Sequence, residues 1–254
     1  KNGDLAAWNA FNGILTKGTS VADYEKVQGN APDGTRSPDY PVYLDKVNYI
    51  DYMIANMWGG NWDWPNKNFW FGRERTNTST GFKFYMWDFE NTMGNNRDRS
   101  PVTMVSPRPE IESSWVAQPH FYMKNIAEYR MDFADRIQRH FFNGGALTPA
   151  VLMQRYQKLA DGIELAILCE TARWGDDNLN PPQTIDAWRR ERDWILGTYL
   201  PQRSDIVLKQ FRAAGLYPTL APPAFSQMGG TVLPGFTLTL SHTNATGDIY
   251  FTAN

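Results

Sequence analysis

The stretch "NWDWPNKNFWFGRER", residues 61–75, holds three tryptophans and two phenylalanines around Asp63, Asn66 and Asn68. A core strand has no use for Asp63, Asn66 and Asn68. A solvent loop has no use for Trp62, Trp64, Phe69, Trp70 and Phe71. The flanks decide how it is read. Upstream, "YLDKVNYIDYMIANMW" puts Leu44, Val47, Ile50, Ile54 and Met57 on one helical face, and Gly59-Gly60 stops that helix. Downstream, "NFWFGRER" and "GFKFYMWDFE" are aromatic-rich with partial alternation and are separated by "NTSTG". That pattern predicts a β-hairpin with Asp88 at its far end.

Outward from this centre the chain reads as helical. Ala6, Ala7, Ala10, Phe11, Ile14 and Leu15 predict a helix over 4–15, and "APDGTRSPDYP" (31–41) is a loop. After a polar loop (91–110), helices are expected at 113–124, 126–142, 149–173, 184–199 and 203–214. Thr148-Pro149 has the form of an N-cap followed by proline at the first helical position. "YPTLAPP" (217–223) reads as a linker. Beyond it, "FTLTL" and "DIYFT" alternate as strands do. The expected class is therefore mainly α with a small β-hairpin (α+β): a helical bundle around the hairpin, then a short C-terminal β segment.

Composition narrows the function. The chain has 254 residues, 14% aromatic content and a net charge of −2 with both signs interspersed. It is long enough for a sizeable core, and its charge shows no basic nucleic-acid face. No apolar run approaches the ~20 residues of a membrane span. Cys169 is the one cysteine, so no internal disulfide can form. His120 and His140 lack partners at metal-ligand spacing, which argues against zinc. Ser113-Ser114 has no paired base and no G-x-S-x-G is present, so serine hydrolysis is not supported. No Walker A signature occurs.

The order Asp63, Asn68, Asp88 fits phosphoryl transfer of the protein-kinase type. There a catalytic Asp is followed five positions on by an Asn, and a metal-binding Asp ends the next strand pair. One carboxylate must take or orient the proton of the acceptor hydroxyl. An amide oxygen and a second carboxylate suit Mg²⁺, a hard cation. The spacing alone is weak, because Asp4/Asn9 and Asp51/Asn56 share it inside helical patterns. On the residues alone two readings stand. One is a metal or phosphate site. The other is a turn whose polar side chains bond the local backbone while the aromatics form core. "WRRERDW" (188–194) is a solvated helix face or, as the lesser reading, a contact for an acidic substrate. Arg73 and Arg75 either meet phosphate or pair with Glu74 or Glu90.

The combination "NYIDYMIANMWGGNWDWPNKNFWFGRER…GFKFYMWDFE" resembles the central signature of the CotH kinase family, atypical kinases named after a spore coat protein. "FADRIQRHFFNGGALTP", "ARWGDD" and "ERDWILGTYLPQRSDIVLKQFRAAGLYP" resemble its helical part, so the likeness covers about residues 1–218. The resemblance implies a kinase-like large lobe over 1–218 that transfers the γ-phosphoryl of ATP, with Mg²⁺ or Mn²⁺, to Ser/Thr hydroxyls of a protein substrate. It places Asp63 as the catalytic Asp and Asn68 and Asp88 as cofactor and metal residues. Glu90 becomes a further metal ligand, a support for one, or a salt-bridge partner. Kinases also need a β-rich lobe bearing a phosphate-covering loop and a lysine. No such lobe is legible upstream of Asp63, so it is expected outside these residues, and this segment alone is expected to be inactive. Residues 219–254 resemble a linker and the start of a chitobiase C-terminal-like β-module, which implies an exported or cell-surface protein. The competing function class is a non-catalytic surface or adhesion module that keeps the fold.

Overall fold

The protein is described here by a computed structural model, which covers residues 3–94, 101, 114–177 and 179–251. Most of the expected 91–110 loop and residue 113 lie outside the described residues. The elements run α1 (Ala6–Ile14), α2 (Val21–Val27), α3 (Lys46–Gly59), β1 (Phe69–Gly72), β2 (Lys83–Met86), α4 (Gln118–Met123) and α5 (Ala127–Phe141). Then follow α6 (Pro149–Trp174), α7 (Ile185–Trp194), a π-helical turn (Ile195–Tyr199), α8 (Leu200–Ala213), β3 (Ala224–Phe225) and β4 (Leu240–Ser241). The mainly helical expectation with a hairpin holds.

Helix α3 is the axis of the core. Tyr49, Ile50, Tyr52, Met53, Ile54, Asn56, Met57 and Trp58 are all buried along it, so it is enclosed on nearly every side. It packs on α5, α8 and β2. Val47, placed on the apolar face by spacing, is exposed. Leu44 lies before the helix and bridges Phe82 instead. Asp45 caps the N-terminus by accepting from the Asn48 amide.

The other end of α3 accounts for every carbonyl of its last turn, the groups a helix leaves without internal partners. Asn56 O accepts from the amides of Gly60 and Asn61. Met57 O accepts from Gly60 N and from Arg203 Nη2 at 2.9 Å. Trp58 O accepts from Arg203 Nε at 2.6 Å. Gly59 O accepts from Met93 N and the Tyr199 hydroxyl. Gly60 turns the chain at φ 61°, where a side chain would be strained. Helix α3 is thereby held end-on by α8, and the stretch carrying Asp63 starts from a fixed point.

The hairpin pairs Phe69 with Met86, Trp70 with Tyr85, Phe71 with Phe84 and Gly72 with Lys83. Phe71, Phe82 and Phe84 face inward onto Trp8 of α1. Trp70 and Tyr85 face outward and are half exposed. This settles the aromatic excess of the opening stretch: one face of the hairpin is core, and Trp64 is buried with its indole N–H on the Tyr52 hydroxyl. Gly81 must be glycine, because a Cβ would lie 2.6 Å from the backbone of Leu44 and Asp45.

Several expectations are corrected. Helix α2 was not foreseen. Its seven residues are too short for periodicity, but Ser20 and Asp23 form a reciprocal capping box that was there to be read. Thr148 does not cap α6 with its side chain. Its hydroxyl donates to Gly145 O, while Pro149 does open the helix. The 113–124 helix shortens to α4. "FTLTL" contributes Leu240 to a two-residue pairing, and residues 248–251 of "DIYFT" form no strand. Asp51 lies within a helix as expected, and there Arg136 holds it at 2.7 and 2.6 Å and His140 at 2.9 Å. Burial alone would raise the Asp51 carboxyl; the His140 and Arg136 hydrogen bonds outweigh it and lower it.

His120 is a core residue, its Nδ1 within 2.7 Å of the Tyr129 hydroxyl. Burial, helped by nearby Lys124, pushes its imidazole down to about 3. Folded His120 therefore stays neutral at a pH where unfolded His120 binds a proton, so stability falls as pH drops below the ordinary value of ~6.5. Relative to His120→Gln, the wild-type protein should lose about 1.4 kcal/mol per pH unit below about pH 6. Urea unfolding at pH 7 and pH 5 checks this; an unchanged difference would mean that His120 protonates in place.

Candidate active site

The loop from Asn61 to Asn68 joins α3 to β1, and the segment from Trp87 to Met93 leaves β2 and folds back over the end of α3. Two main-chain bonds dock that segment: Met93 N to Gly59 O and Trp62 N to Asn91 O. Asn68 and Asp88 both adopt left-handed backbone, φ 59° and 54°. Such conformations are rare for residues with side chains and cluster at functional sites.

These turns bring the expected residues together. The Asn68 side-chain amide donates to Asp63 Oδ2 at 2.9 Å and reaches Asp88 O at 3.5 Å. Asn91, which sequence reasoning passed over, donates to the same Asp63 oxygen at 3.1 Å and to Glu90 Oε1 at 3.2 Å. Lys67 Nζ lies 3.6 Å from Asp63 Oδ2 across a single helical-type spacing, with its own side chain largely exposed. Asp63 is thus held through one oxygen. The other, Oδ1, is shielded from solvent and has no hydrogen-bond partner among the described residues. A buried acceptor left so costs about 1–3 kcal/mol, and a donor brought by a substrate would relieve it.

Asp88 and Glu90 lie close enough for their carboxyl groups to hydrogen-bond. That contact, with added repulsion from Asp88 and Asp63, raises the Glu90 carboxyl above its usual range. Two carboxyl groups so placed repel when both are charged, and a cation beside them would offset that repulsion. Among the described residues, no three acidic, histidine or cysteine side chains converge on a metal position. The donor set is nonetheless all oxygen: the Asn68 amide oxygen, Asp88 and Glu90. Mg²⁺ is characteristically bound by one or two carboxylates, with waters and phosphates completing its shell. The residues fit that group.

Phe89 anchors the acidic pair. A Cβ on Gly59 would stand 2.5 Å from Phe89 Cζ, so the ring seats on the bare glycine at the end of α3. Thr92 also donates to Phe89 O. Gly59→Ala is expected to destabilise by about 1–3 kcal/mol through overpacking, and the cost should vanish in a Phe89→Ala background. Urea unfolding of the four proteins checks it; additive losses would place the clash elsewhere.

Among the described residues, Arg73 and Arg75 do not join the acidic cluster. Arg73 donates to Val42 O and Glu74 O, and Arg75 pairs with Asp4. Of "WRRERDW", Arg189, Arg190, Glu191 and Asp193 are exposed, as a solvated helix face requires, while Arg189 and Arg192 pair with Glu164 of α6 along its edge. A cavity of about 1320 Å³ lies between α1 and β1, lined by Trp8, Tyr43, Phe71, Arg73 and Trp115; Asp63, Asn68, Asp88, Glu90 and Asn91 are not part of its lining.

The sequence profile described as CotH kinase protein matches residues 21–207. The chain belongs to the CotH kinase family. The matched region of this CotH kinase chain contains Asp63, Asn68, Asp88, Glu90 and Asn91, together with the hairpin and α2 through most of α8. Helix α1 and the segment after Val207 lie outside it. No curated protein and no solved structure matches the chain.

Proposed function

We propose that this CotH kinase chain is the catalytic large lobe of an ATP-dependent protein kinase acting on Ser or Thr hydroxyls. The observation that carries the reading is the half-satisfied Asp63. Its Oδ2 is fully engaged, and its buried Oδ1 lacks a donor among the described residues, beside an oxygen-rich cluster. An acceptor hydroxyl placed there gives its proton to Oδ1 as its oxygen bonds to the γ-phosphorus. The bond from that phosphorus to the β–γ bridging oxygen breaks, and ADP leaves. Asn68 and Asp88, with Glu90 beside them, would hold Mg²⁺, whose charge neutralises the phosphates. Asn68 serves both sides, since its amide nitrogen fixes Asp63 while its amide oxygen remains for the cation.

Upstream of Asp63 the described residues form helices, loops and isolated bridges. The phosphate-covering loop and its lysine therefore belong, in this proposal, to a β-rich lobe outside these residues. The test uses protein that includes that lobe, incubated with Mg²⁺, γ-labelled ATP and Ser/Thr-bearing acceptors, itself included. Label on a serine or threonine, absent in Asp88→Ala, is the expected result. ATP binding with no transfer to any acceptor would favour a non-catalytic surface module.

A further inference from the structure

We propose that Asn91 is a positioning residue, whose side-chain amide selects which oxygen of Asp63 takes the proton. This rests on the phosphotransfer reading above. A carboxylate oxygen has two in-plane lone pairs. Asp63 Oδ2 spends both, one on Asn68 at 2.9 Å and one on Asn91 at 3.1 Å. Lys67 adds a looser contact at 3.6 Å, which at that exposure contributes little. With Oδ2 saturated, the carboxylate cannot rotate to exchange its oxygens without breaking two charge-assisted bonds. Oδ1 is then the one acceptor left for a hydroxyl.

Asn91 is built for this in three ways. Its main-chain oxygen takes the Trp62 amide, so its backbone is tied to the residue beside Asp63. Its side-chain amide also reaches Glu90 Oε1 at 3.2 Å. One residue thereby links the proton-accepting carboxylate to the acidic pair on the other segment, 28 positions away in sequence. A shift of the segment after β2 moves Asp63 with it. Asn68 alone could not do this, since it reaches Asp88 through the main chain at 3.5 Å.

The test has two arms. In lobe-complete protein, Asn91→Ala should lower kcat about 10- to 100-fold, the cost of misplacing a reacting group by roughly 1 Å, with KM for ATP and acceptor within about twofold. Asn91→Asp, nearly the same shape without the donor, should fall at least as far, and Asn91→Gln should recover part of the rate. Unfolding midpoints of all three exclude loss of fold. The second arm needs no activity. The Asn91 side-chain NH₂ signals in ¹⁵N spectra should be shifted and slow to exchange, and should move, with faster exchange, in Asp63→Ala, where the Glu90 contact remains. Asn91→Ala with wild-type kcat, or amide signals indifferent to Asp63→Ala, would overturn the proposal. An inactive wild-type protein would remove the phosphotransfer reading instead, and the amide signals would then decide alone whether Asn91 holds Asp63.

Discussion

Asp63→Asn is expected to slow phosphoryl transfer by about 10²- to 10⁴-fold, the usual contribution of a positioned general base. The substitution keeps volume and shape. An asparagine oxygen can still accept from Asn68 and Asn91, which now hold Asp63 Oδ2. The amide nitrogen then falls where Oδ1 lies, at a shielded position with no donor among the described residues. An amide N–H at that position cannot take the hydroxyl's proton; it can only donate to the hydroxyl oxygen, which turns the O–H away. Affinity for Mg-ATP should change little, because Asn68, Asp88 and Glu90 are untouched. Single-turnover transfer beside nucleotide titration separates the two effects. A variant retaining more than a tenth of the wild-type rate would remove Asp63 from the role of base.

Arg203→Leu is expected to give the largest loss of stability, about 3 kcal/mol or more. Arg203 is 0% exposed. Its guanidinium donates to Trp58 O at 2.6 Å, Met57 O at 2.9 Å and Pro101 O at 2.6 Å, and it lies over the Tyr199 ring. Leucine fills much of the space and leaves those carbonyls short of a charged donor. Each buried, unsatisfied group costs about 1–3 kcal/mol, and the sum is less than additive. For a chain of this size that is a fall in Tm of roughly 10 °C. Arg203→Lys should recover only part, because an ammonium lacks the planar fork that spans neighbouring carbonyls. A Tm within about 3 °C of wild type would show that the other partners at the end of α3 suffice. The effect should also reach the site, since Met57 and Trp58 immediately precede the Gly59–Asp63 turn.

Asp63, Asn68 and Asp88 could be singled out from the text, and the hydrogen bonds that join Asp63 to its neighbours could not. Asp63, Asn68 and Asp88 stood out because a helix stop, a five-residue spacing and a hairpin frame them, all local signals. Asn91 carried no such signal. Its importance comes from a bond across 28 positions to Asp63, and an asparagine after "DFE" reads as an ordinary loop residue. Gly59 read correctly as a stop, but φ freedom belongs to Gly60; Gly59 is bare because Phe89 occupies its side-chain space. Arg203 followed the apolar face of α8 at a position where charge is normally excluded. The carbonyls that receive it lie 145 and 146 positions away.

The sequence by itself determined what short-range physics determines. Apolar periodicity made α1 and α3, the aromatic alternation around "NTSTG" made β1 and β2, and Ser20 with Asp23 made α2. The same logic failed at "FTLTL", where alternation met no packed layer to bury one face, and most of the segment stays exposed. The tertiary structure decided the rest. Whether Asp63 is a turn residue or a poised acceptor depends on donors delivered by a strand pair that returns over the end of α3. That geometry exists because Phe89 seats on Gly59 and Arg203 closes the helix from behind. A carboxylate's chemistry is set by which of its oxygens is left free, and that is fixed by groups distant in the chain.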